Sequence, residues 1–385
     1  MRGHVRKRGN KWTVVIDTGR DASGKRQQKW HSGYNTKREA EAGLTDLLAR
    51  VQSGNYVDTS RLTLGEFLTD RWLPARKSGL RPSTFESYKM NVDAHVVPAL
   101  GQMPLQRLTA TDLSKFYGDL LDHGRRDGSG GLSPRTTRYV HTILRRALAD
   151  AERWDLITRN PADRAAVPAA RPHAMNTWTA DELRAFLKQS QDDRLWPLWQ
   201  VLAATGLRRG EVLGLTWRDL DATAGRLVIA RAWVTTVGGE TSLQAPKTAR
   251  GRRQVALDGA TVAALKGWRT RQVAERLALG AAYADNDLIF CRADGVPYSP
   301  GYISAEFKAQ AKAAGLPTIR LHDLRHTHAS LMLQQGIHPK VVSERLGHGS
   351  TAFTMDVYAH TTPALHADAA ESVAALLAGP AQTAR

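Results

Sequence analysis

The spacing of apolar residues changes along the chain from a period typical of strands to one typical of helices. Two runs near the start favour strands: residues 12–17 are rich in β-branched and aromatic residues, and residues 25–34 form a second β-like run that is basic and contains Trp30. A capping box, in which Thr36 is followed three residues later by Glu39, then predicts the start of a helix. We therefore expect residues 1–57 to form a small sheet backed by one helix.

Beyond residue 62 the apolar residues recur with the period of a helix. A Ser or Thr that is followed three residues later by Asp or Glu marks a helix start at Thr63, Ser83 and Thr109. Ser133 marks another, because proline follows it directly at the first helical position. The last of these helices has an apolar stripe formed by Val140, Ile143, Leu144, Leu148 and Ala151. These patterns predict a four-helix domain over residues 62–160, with loops at Gly79, 98–101 and 128–131.

A proline-containing stretch without periodicity, 160–172, is expected to link this domain to a last one over residues 174–375. Thr179 and Glu182 form the capping box of its first helix. Further helices are expected at about 195–205, 209–215, 259–279, 301–314, 322–335, 339–346, 351–359 and 364–377, and strands at 227–236, 241–245 and 252–257. The predicted fold is mainly α with small β-sheets, an α+β class.

The chain carries a large surplus of positive charge. Lys and Arg number 54 against 37 Asp and Glu, which gives a net charge of +17 and a pI of about 10.2. Residues 1–57 alone hold twelve basic and five acidic residues, a net charge of +7. This surplus favours a nucleic-acid partner, and basic strands can enter a DNA groove. A solvated basic face is the alternative, both here and for the arginines of the fourth helix, Arg135, Arg138, Arg145 and Arg146.

Composition also excludes several classes of protein. The apolar fraction of 42% suits folded cores rather than a disordered basic tail. Cys291 is the single cysteine, which excludes an internal disulfide framework and a cysteine-based zinc site. No apolar segment follows the charged first residues, and no run reaches the roughly eighteen apolar residues of a membrane span. We expect a protein of the reducing cytoplasm, associated with the nucleoid and not with a membrane.

Candidate catalytic residues follow one another in the last predicted domain. Arg208 comes after Thr-Gly-Leu at a predicted helix start, where the helix dipole also favours an anion. Lys247 lies between two β-like runs, so we expect it on a hairpin turn. His322 and Arg325 are three residues apart and therefore share one face of a predicted helix.

His348 follows a Leu-Gly pair, and Tyr358 comes ten residues after it. With the preceding four positions, these residues suit the attack of a tyrosine oxygen on a phosphodiester. The ordered series closely resembles the tyrosine recombinase family, of the lambda integrase type. That family has an arginine after Thr-Gly-Leu, a hairpin lysine, a His-x-x-Arg pair, Leu-Gly-His and a tyrosine. The resemblance is strong over residues 174–365 and looser over 62–157, as a helical core-binding (SAM-like) domain. Residues 1–57 resemble an arm-binding domain in layout and charge.

The resemblance implies that two arginines and one lysine act on the phosphate. Arg208 and Arg325 are expected to bind its two non-bridging oxygens, because guanidinium groups stay protonated and donate paired hydrogen bonds. Such preorganised charge is usually the largest catalytic contribution. Lys247 is expected to be the general acid that protonates the leaving 5′ oxygen, since a cationic site lowers the pKa of a lysine.

The remaining positions concern the nucleophile. Tyr358 must lose its proton during attack, because the ordinary pKa of tyrosine is about 10, and His322 is the expected acceptor. His348 is expected to hydrogen-bond a phosphate oxygen. Glu211 is expected to orient Arg208 across one helical turn. The product is a 3′-phosphotyrosyl bond, which retains the energy of the broken ester, so neither ATP nor a metal cofactor is required.

Other residues near these motifs have a structural interpretation. His326 and His328 are expected to pack in the core or to bond the backbone. Cys291 is expected to be a buried small apolar side chain. Tyr283 and Tyr302 lack a His or Arg context and are interpreted as structural.

The resemblance implies that the partner is double-stranded DNA, with core and arm attachment sites, and that the chain forms a homotetramer on it. An excisionase and a host DNA-bending protein are further expected partners. We interpret the chain as a site-specific recombinase, the integrase of a phage or integrative element. A conjugative-transposon integrase is a close alternative. A Xer-like dimer resolvase is another, against which residues 1–57 argue, and an inactive DNA-binding regulator is a third.

Overall fold

The computed structural model describes residues 3–20, 24, 26–52, 57–58, 60–169, 176–235, 241–244, 252–347, 374 and 377. The chain divides into two compact units, Met1–Pro172 and His173–Arg385. Both units combine helices with small antiparallel sheets, so the predicted α+β class is confirmed. No helix in this described part is long and apolar enough to cross a membrane.

The first unit begins with a three-stranded antiparallel sheet followed by a helix: β1 (Gly3–Arg8), β2 (Lys11–Arg20), β3 (Arg26–Tyr34) and α1 (Lys37–Gln52). Val14 and Ile16 of β2 are fully buried and pack with Ala40 of α1. The capping box is formed, since the N–H of Glu39 donates to Thr36 Oγ1 over 3.2 Å and Glu39 Oε2 accepts from the N–H of Thr36. The predicted sheet and helix are confirmed, and β1 is an additional strand.

The rest of the first unit is helical, with α2 (Leu64–Glu66), α3 (Leu73–Arg76), α4 (Pro82–Asn91), α5 (Val97–Leu100), α6 (Ala110–His123) and α7 (Pro134–Arg153). Two π-helical segments, Phe67–Trp72 and Val92–Val96, join α2 to α3 and α4 to α5. The caps at Thr63, Thr109 and Ser133 are formed as predicted. The apolar stripe predicted for α7 is fully buried, and it packs into the helical core.

Some sequence predictions for the first unit are wrong. Ser83 is not a helix cap, because α4 already begins at Pro82 with Arg81 as its N-cap residue. Proline fixes a φ that suits the first helical position, and so it sets the start. The loop predicted at 98–101 is mostly helical, as part of α5. Ala162, in the stretch predicted as a linker, is 2% exposed and packs into the helical core.

The second unit contains α8 (Ala180–Gln189), α9 (Trp196–Thr205), α10 (Arg209–Leu213), β4 (Leu220–Asp221), β5 (Arg226–Ile229), β6 (Ala232–Thr235), β7 (Thr241–Gln244), β8 (Arg253–Ala256), α11 (Gly259–Leu279), α12 (Pro300–Ala313), α13 (Asp323–Gln334) and α14 (Pro339–Leu346). Strands β4, β5 and β8 form one antiparallel sheet, and β6 and β7 form another. Rings of Trp178, Phe186, Trp199 and Phe307 contact one another and join α8, α9 and α12. Thr179 caps α8 as predicted.

The β-rich part of the second unit differs from the prediction. The run 227–236 is divided between β5 and β6, which belong to different sheets. The strands that flank Lys247 also belong to different sheets, since β7 pairs with β6 and β8 pairs with β5. Lys247 and its neighbours, residues 245–251, lie outside the described residues, so the hairpin turn predicted at Lys247 stays a prediction. The helices predicted at 351–359 and 364–377 fall largely outside the described residues.

Candidate active site

Arg208 lies between α9 and α10, where the chain changes direction. Gly206 follows the last residue of α9 and has a φ of 64°, in the left-handed region that favours glycine. Arg208 is then the N-cap residue of α10, in an extended conformation. Its backbone N–H donates to Glu211 Oε2 over 2.9 Å and its Nη1 donates to Glu211 Oε1 over 2.7 Å. Glu211 thus contacts Arg208 across one helical turn.

His322 and Arg325 lie at the start of α13, as the N-cap residue and as a residue of the first turn. Arg325 is only 2% exposed. Its Nη1 donates to the carbonyl oxygen of Gly206 over 2.9 Å, and its Nη2 donates to that of Leu346 over 2.6 Å. A guanidinium group has five N–H donors. These two bonds therefore leave Arg325 with donors for a further acceptor.

The end of α14 is contacted by three arginine side chains. The carbonyl oxygens of Arg345, Leu346 and Gly347 accept, respectively, from Arg253 Nε over 2.7 Å, Arg325 Nη2 over 2.6 Å and Arg208 Nη2 over 3.1 Å. The last carbonyl groups of a helix have no partner within it, and they carry the negative end of its dipole. The end of α14 therefore holds together arginines from three separate parts of the chain, and the next residue is His348.

The acidic group in this cluster is Glu211, whose side chain is 6% exposed. Burial raises the pKa of Glu211, but the hydrogen bonds and charges of Arg253 and Arg208 outweigh burial, so the pKa lies below its usual range. Burial and the charge of Arg208 lower the pKa of Arg325 to about 9, with Glu211 opposing and Arg253 adding to this effect. Three arginines facing one carboxylate leave a positive surplus, which a bound anion would relieve.

His322 is neutral in this environment. Burial, followed by the effects of His326, Arg325 and Arg208, lowers the pKa of His322 to about 4. The ring of His326 lies edge-on to that of His322, with 5.2 Å between ring centroids. A neutral imidazole has an unprotonated ring nitrogen. His322 can therefore accept a proton at neutral pH.

A cleft of about 780 Å³ opens beside His322. Its basic lining residues are Arg208, Arg209, Lys308 and Arg320. Arg320 Nη2 is paired with Asp323 over 2.9 Å, whereas Arg209 donates to Ser304 over 2.6 Å. With four basic side chains in its lining, the cleft beside His322 is rich in positive charge, which suits the phosphate backbone of a nucleic acid.

The structure brings together three of the six predicted catalytic residues, Arg208, His322 and Arg325. The other three, Lys247, His348 and Tyr358, lie outside the described residues, and their positions remain predictions.

Sequence reasoning missed two arginines of this region. Arg253 lies two residues before the buried Val255 on β8, so both side chains point to the same side of the strand. That period of two is a signal that identifies Arg253 as an arginine on an apolar face. Arg345 donates to His328 Nε2 over 3.3 Å and to the carbonyl oxygen of Ala204 over 2.9 Å. No local pattern predicts these contacts, because their partners are far apart in the sequence.

The structural interpretation of His328 and Cys291 is confirmed. His328 Nδ1 lies 2.9 Å from the carbonyl oxygen of Ala203, so it carries the proton, and Nε2 is left to accept from Arg345. Burial and the charge of Arg345 lower the pKa of His328 to about 4, which keeps this tautomer neutral. Cys291 is buried, and its Sγ accepts from Gln272.

Three family models match separate parts of the chain. Residues 176–364 match the phage integrase family. Residues 4–51 match an arm DNA-binding domain, and residues 63–121 match the N-terminal SAM-like domain of phage integrases. The three matches occur in the order in which the sequence predicted an arm-binding, a core-binding and a catalytic part.

Two relatives match most of the chain. A tyrosine recombinase XerC-like protein of Caldanaerobacter subterraneus subsp. tengcongensis is 26% identical over 380 residues, covering 94% of this chain and 95% of its own. The ICEBs1 integrase of Bacillus subtilis (strain 168) is 27% identical over 299 residues, covering 77% of this chain and 79% of its own. Both are recombinases or integrases by name.

Solved structures have the same fold. The integrase of the Tn1549 transposon, in complex with transposon right end DNA, has a TM-score of 0.68 at 20% identity and covers 82% of this chain and 100% of that one. A lambda integrase tetramer bound to a Holliday junction has a TM-score of 0.56 at 20% identity, covering 92% and 94%.

Proposed function

This chain belongs to the phage integrase family of tyrosine recombinases, and we propose that it is the integrase of a phage or another mobile element. It cleaves and rejoins DNA strands at specific sites through a 3′-phosphotyrosyl intermediate. Integration and excision of the element's genome are the expected outcomes.

The observation that carries this proposal is the arrangement of Arg208 and Arg325. Their guanidinium groups donate to the adjacent carbonyl oxygens of Gly347 and Leu346, and so they are held next to each other. Both retain N–H donors, in a site with a positive surplus. Two such groups suit the two non-bridging oxygens of a phosphodiester, whose negative charge grows as phosphorus becomes five-coordinate.

The remaining residues supply the nucleophile and the proton transfers. The phenol oxygen of Tyr358 attacks phosphorus, and His322, neutral at neutral pH, accepts the phenol proton. Lys247 donates a proton to the leaving 5′ oxygen, and His348 hydrogen-bonds a phosphate oxygen. The phosphorus–oxygen bond to the 5′ carbon's oxygen breaks as the bond to Tyr358 forms. Attack by the 5′ hydroxyl of a partner strand reverses the step and joins the new strands.

Double-stranded DNA, with core and arm attachment sites, is the proposed partner. The cationic cleft beside His322 supports this proposal. By analogy with the lambda integrase tetramer on a Holliday junction, the chain assembles as a homotetramer on DNA. An excisionase and a host DNA-bending protein control the direction of the reaction. The site of action is the nucleoid in the cytoplasm.

We assign three functional parts: an arm-binding domain at 1–57, a core-binding domain at 62–160 and a catalytic domain at 174–375. The small sheet supports the first assignment. Val14 and Ile16 pack towards α1, so their neighbours along β2 point to the opposite face. In that face the strand register places Arg6 with Thr13 and Ser32, and His4 with Val15 and Trp30. Trp30 is 48% exposed, so this face offers basic and aromatic side chains to DNA.

Two of the three alternatives cleave DNA by the same tyrosine chemistry, and the third does not cleave DNA. A conjugative-transposon integrase is favoured by the fold shared with the Tn1549 transposon integrase. A Xer-like resolvase is favoured by the XerC-like relative, whose match covers 94% of this chain and is therefore not limited to residues 176–364, the part that matches the phage integrase family. An inactive DNA-binding regulator would bind DNA without cleaving it.

A recombination assay tests the proposal. Plasmids that carry the candidate attachment sites from DNA flanking the gene are incubated with the protein in a buffer with EDTA and no ATP. Exchanged junctions, detected by sequencing, are the expected product. Specific binding without strand exchange or covalent adduct would instead favour the regulator. Exchange only between two identical sites would favour the resolvase.

Deletion of residues 1–57 is expected to separate arm binding from cleavage. Core-site cleavage by Tyr358 should be largely retained, whereas recombination between full attachment sites should be abolished. Each bound phosphate releases counterions, so affinity falls as the salt concentration rises. For arm-containing DNA, the slope of log affinity against log salt concentration should become less steep by roughly one unit for each phosphate that the shortened protein no longer binds. The measurement is a salt titration of both proteins on arm-site and core-site duplexes. An unchanged slope and affinity on arm DNA would contradict the assignment.

A further inference from the structure

Arg253, at the start of β8, is a buried arginine that the proposed chemistry does not use. Its side chain is 7% exposed. Nη2 donates to Glu211 Oε2 over 2.9 Å, and Nη1 donates to Glu211 Oε1 over 3.2 Å. This parallel pair of charge-assisted bonds is the strongest geometry available to an arginine and a carboxylate. Arg253 therefore fixes the plane of the Glu211 carboxylate.

Glu211 is shared between two arginines that have different exposure. The same two carboxylate oxygens accept from the backbone N–H and Nη1 of Arg208. The Arg208 side chain is 40% exposed, whereas that of Arg253 is almost wholly enclosed. Arg253 is therefore in a position to hold the carboxylate, while Arg208 remains accessible to a ligand.

Arg253 also contacts the end of α14, which accepts hydrogen bonds from Arg208 and Arg325. Its Nε donates to the carbonyl oxygen of Arg345, and the next two carbonyl groups accept from Arg325 and Arg208. One side chain thus contacts both the carboxylate beside Arg208 and the helix end that holds Arg208 and Arg325. Since Arg253 is buried, its role is exerted through these groups and not through direct contact with DNA.

We propose that Arg253 is a positioning residue for strand cleavage: it orients Glu211 and the end of α14, so that Arg208 and Arg325 present their remaining N–H groups to the scissile phosphate. The proposal rests on the recombinase function proposed above. Removing Arg253 should slow cleavage of bound DNA and leave the affinity for the core site nearly unchanged.

The pH dependence of cleavage distinguishes positioning from general destabilisation. Glu211 is faced by Arg208 of its own helix start, by Arg253 of β8 and by Arg325 of α13. Arg253→Gln removes one of these cations and leaves the burial of Glu211 in place, so the pKa of Glu211 should rise. As pH falls through the raised pKa, Glu211 becomes protonated and its hold on Arg208 weakens. Cleavage by Arg253→Gln should therefore fall more steeply than that of the wild type from pH 8 to pH 6.

The experiment measures single-turnover cleavage of a nicked core-site duplex at saturating protein, from pH 6 to pH 8. We expect the rate with Arg253→Gln to be about tenfold to a hundredfold lower, by analogy with the loss seen when the outer-shell groups that orient a metal ligand are removed. The double variant Glu211→Gln/Arg253→Gln has no carboxylate to titrate, so it should lose the additional pH dependence. Arg253→Lys keeps the charge and should retain the wild-type pH profile at a reduced rate.

Arg231→Gln is the matched control. Arg231 Nη2 pairs over 2.9 Å with Asp219, a carboxylate that is also 6% exposed, rather than with Glu211. This control should keep the wild-type pH profile. Wild-type rate and pH profile in Arg253→Gln would overturn the inference. If Arg253→Gln shows no cooperative thermal unfolding, Arg253→Lys decides: a wild-type rate would overturn the inference. Absence of cleavage by the wild type would instead contradict the recombinase function itself.

Discussion

Replacement of Tyr358 by phenylalanine is expected to abolish covalent attachment of the protein to DNA. The change removes one oxygen atom, so folding and DNA binding should be retained, while no nucleophile remains to attack phosphorus. The measurement is adduct formation on a nicked suicide substrate, in which the cleaved fragment diffuses away and traps the intermediate. Adducts should fall below detection for this variant.

Tyr302→Phe is the matched control for the nucleophile. Tyr302 is 50% exposed, and its ring stacks on Tyr298 with 5.7 Å between centroids, a contact that does not require the hydroxyl group. Adduct formation by this control should equal that of the wild type. If Tyr358→Phe still formed adducts at the wild-type level, the nucleophile would have to be another residue.

Replacing either Arg208 or Arg325 by lysine is expected to lower the cleavage rate at least about a hundredfold, the scale of losing one donor to the transition state. Lysine keeps the positive charge but lacks the planar fork, so it cannot both hold a carbonyl group of the α14 end and donate to phosphate in the same geometry. Single-turnover cleavage and core-site affinity should be measured together. Affinity should change little, because many other phosphate contacts remain.

Arg218→Lys is the control for this pair. Its side chain is 89% exposed and pairs with Asp287, away from Glu211. The control should cleave at the wild-type rate. A rate near wild type for Arg208→Lys or Arg325→Lys would mean that the arginine concerned does not bind the reacting phosphate.

Local sequence patterns predicted most helix starts in both units. The caps at Thr63, Thr109 and Thr179 are visible in the sequence because a capping side chain bonds to a residue only three positions away. The same reasoning failed at Ser83, where a proline one residue earlier sets the helix start. Strand β1 was missed because three of its six residues are Lys or Arg and Val5 is its single β-branched residue, which gives only a weak strand pattern.

The candidate site was predictable in its residues and not in its contacts. Arg208 and Arg325 stand in recognisable motifs, but the sequence does not show that both donate to the end of α14. Arg253 bonds to Glu211 across 42 positions and to Arg345 across 92, and contacts of that range follow from tertiary packing rather than from any local period. Such contacts determine how the arginines are held, which the motifs alone do not contain.

Identification of the covalently modified residue tests the central claim most directly. The wild-type adduct from a suicide substrate is digested with nuclease and trypsin and analysed by mass spectrometry. Trypsin should release a peptide that begins at Leu346, after Arg345, and in which Tyr358 is the single tyrosine. We expect this peptide to carry a nucleotide through its 3′ phosphate, with a free 5′ hydroxyl on the released strand. A nucleotide on another residue, linkage through a 5′ phosphate, or no adduct would contradict the account.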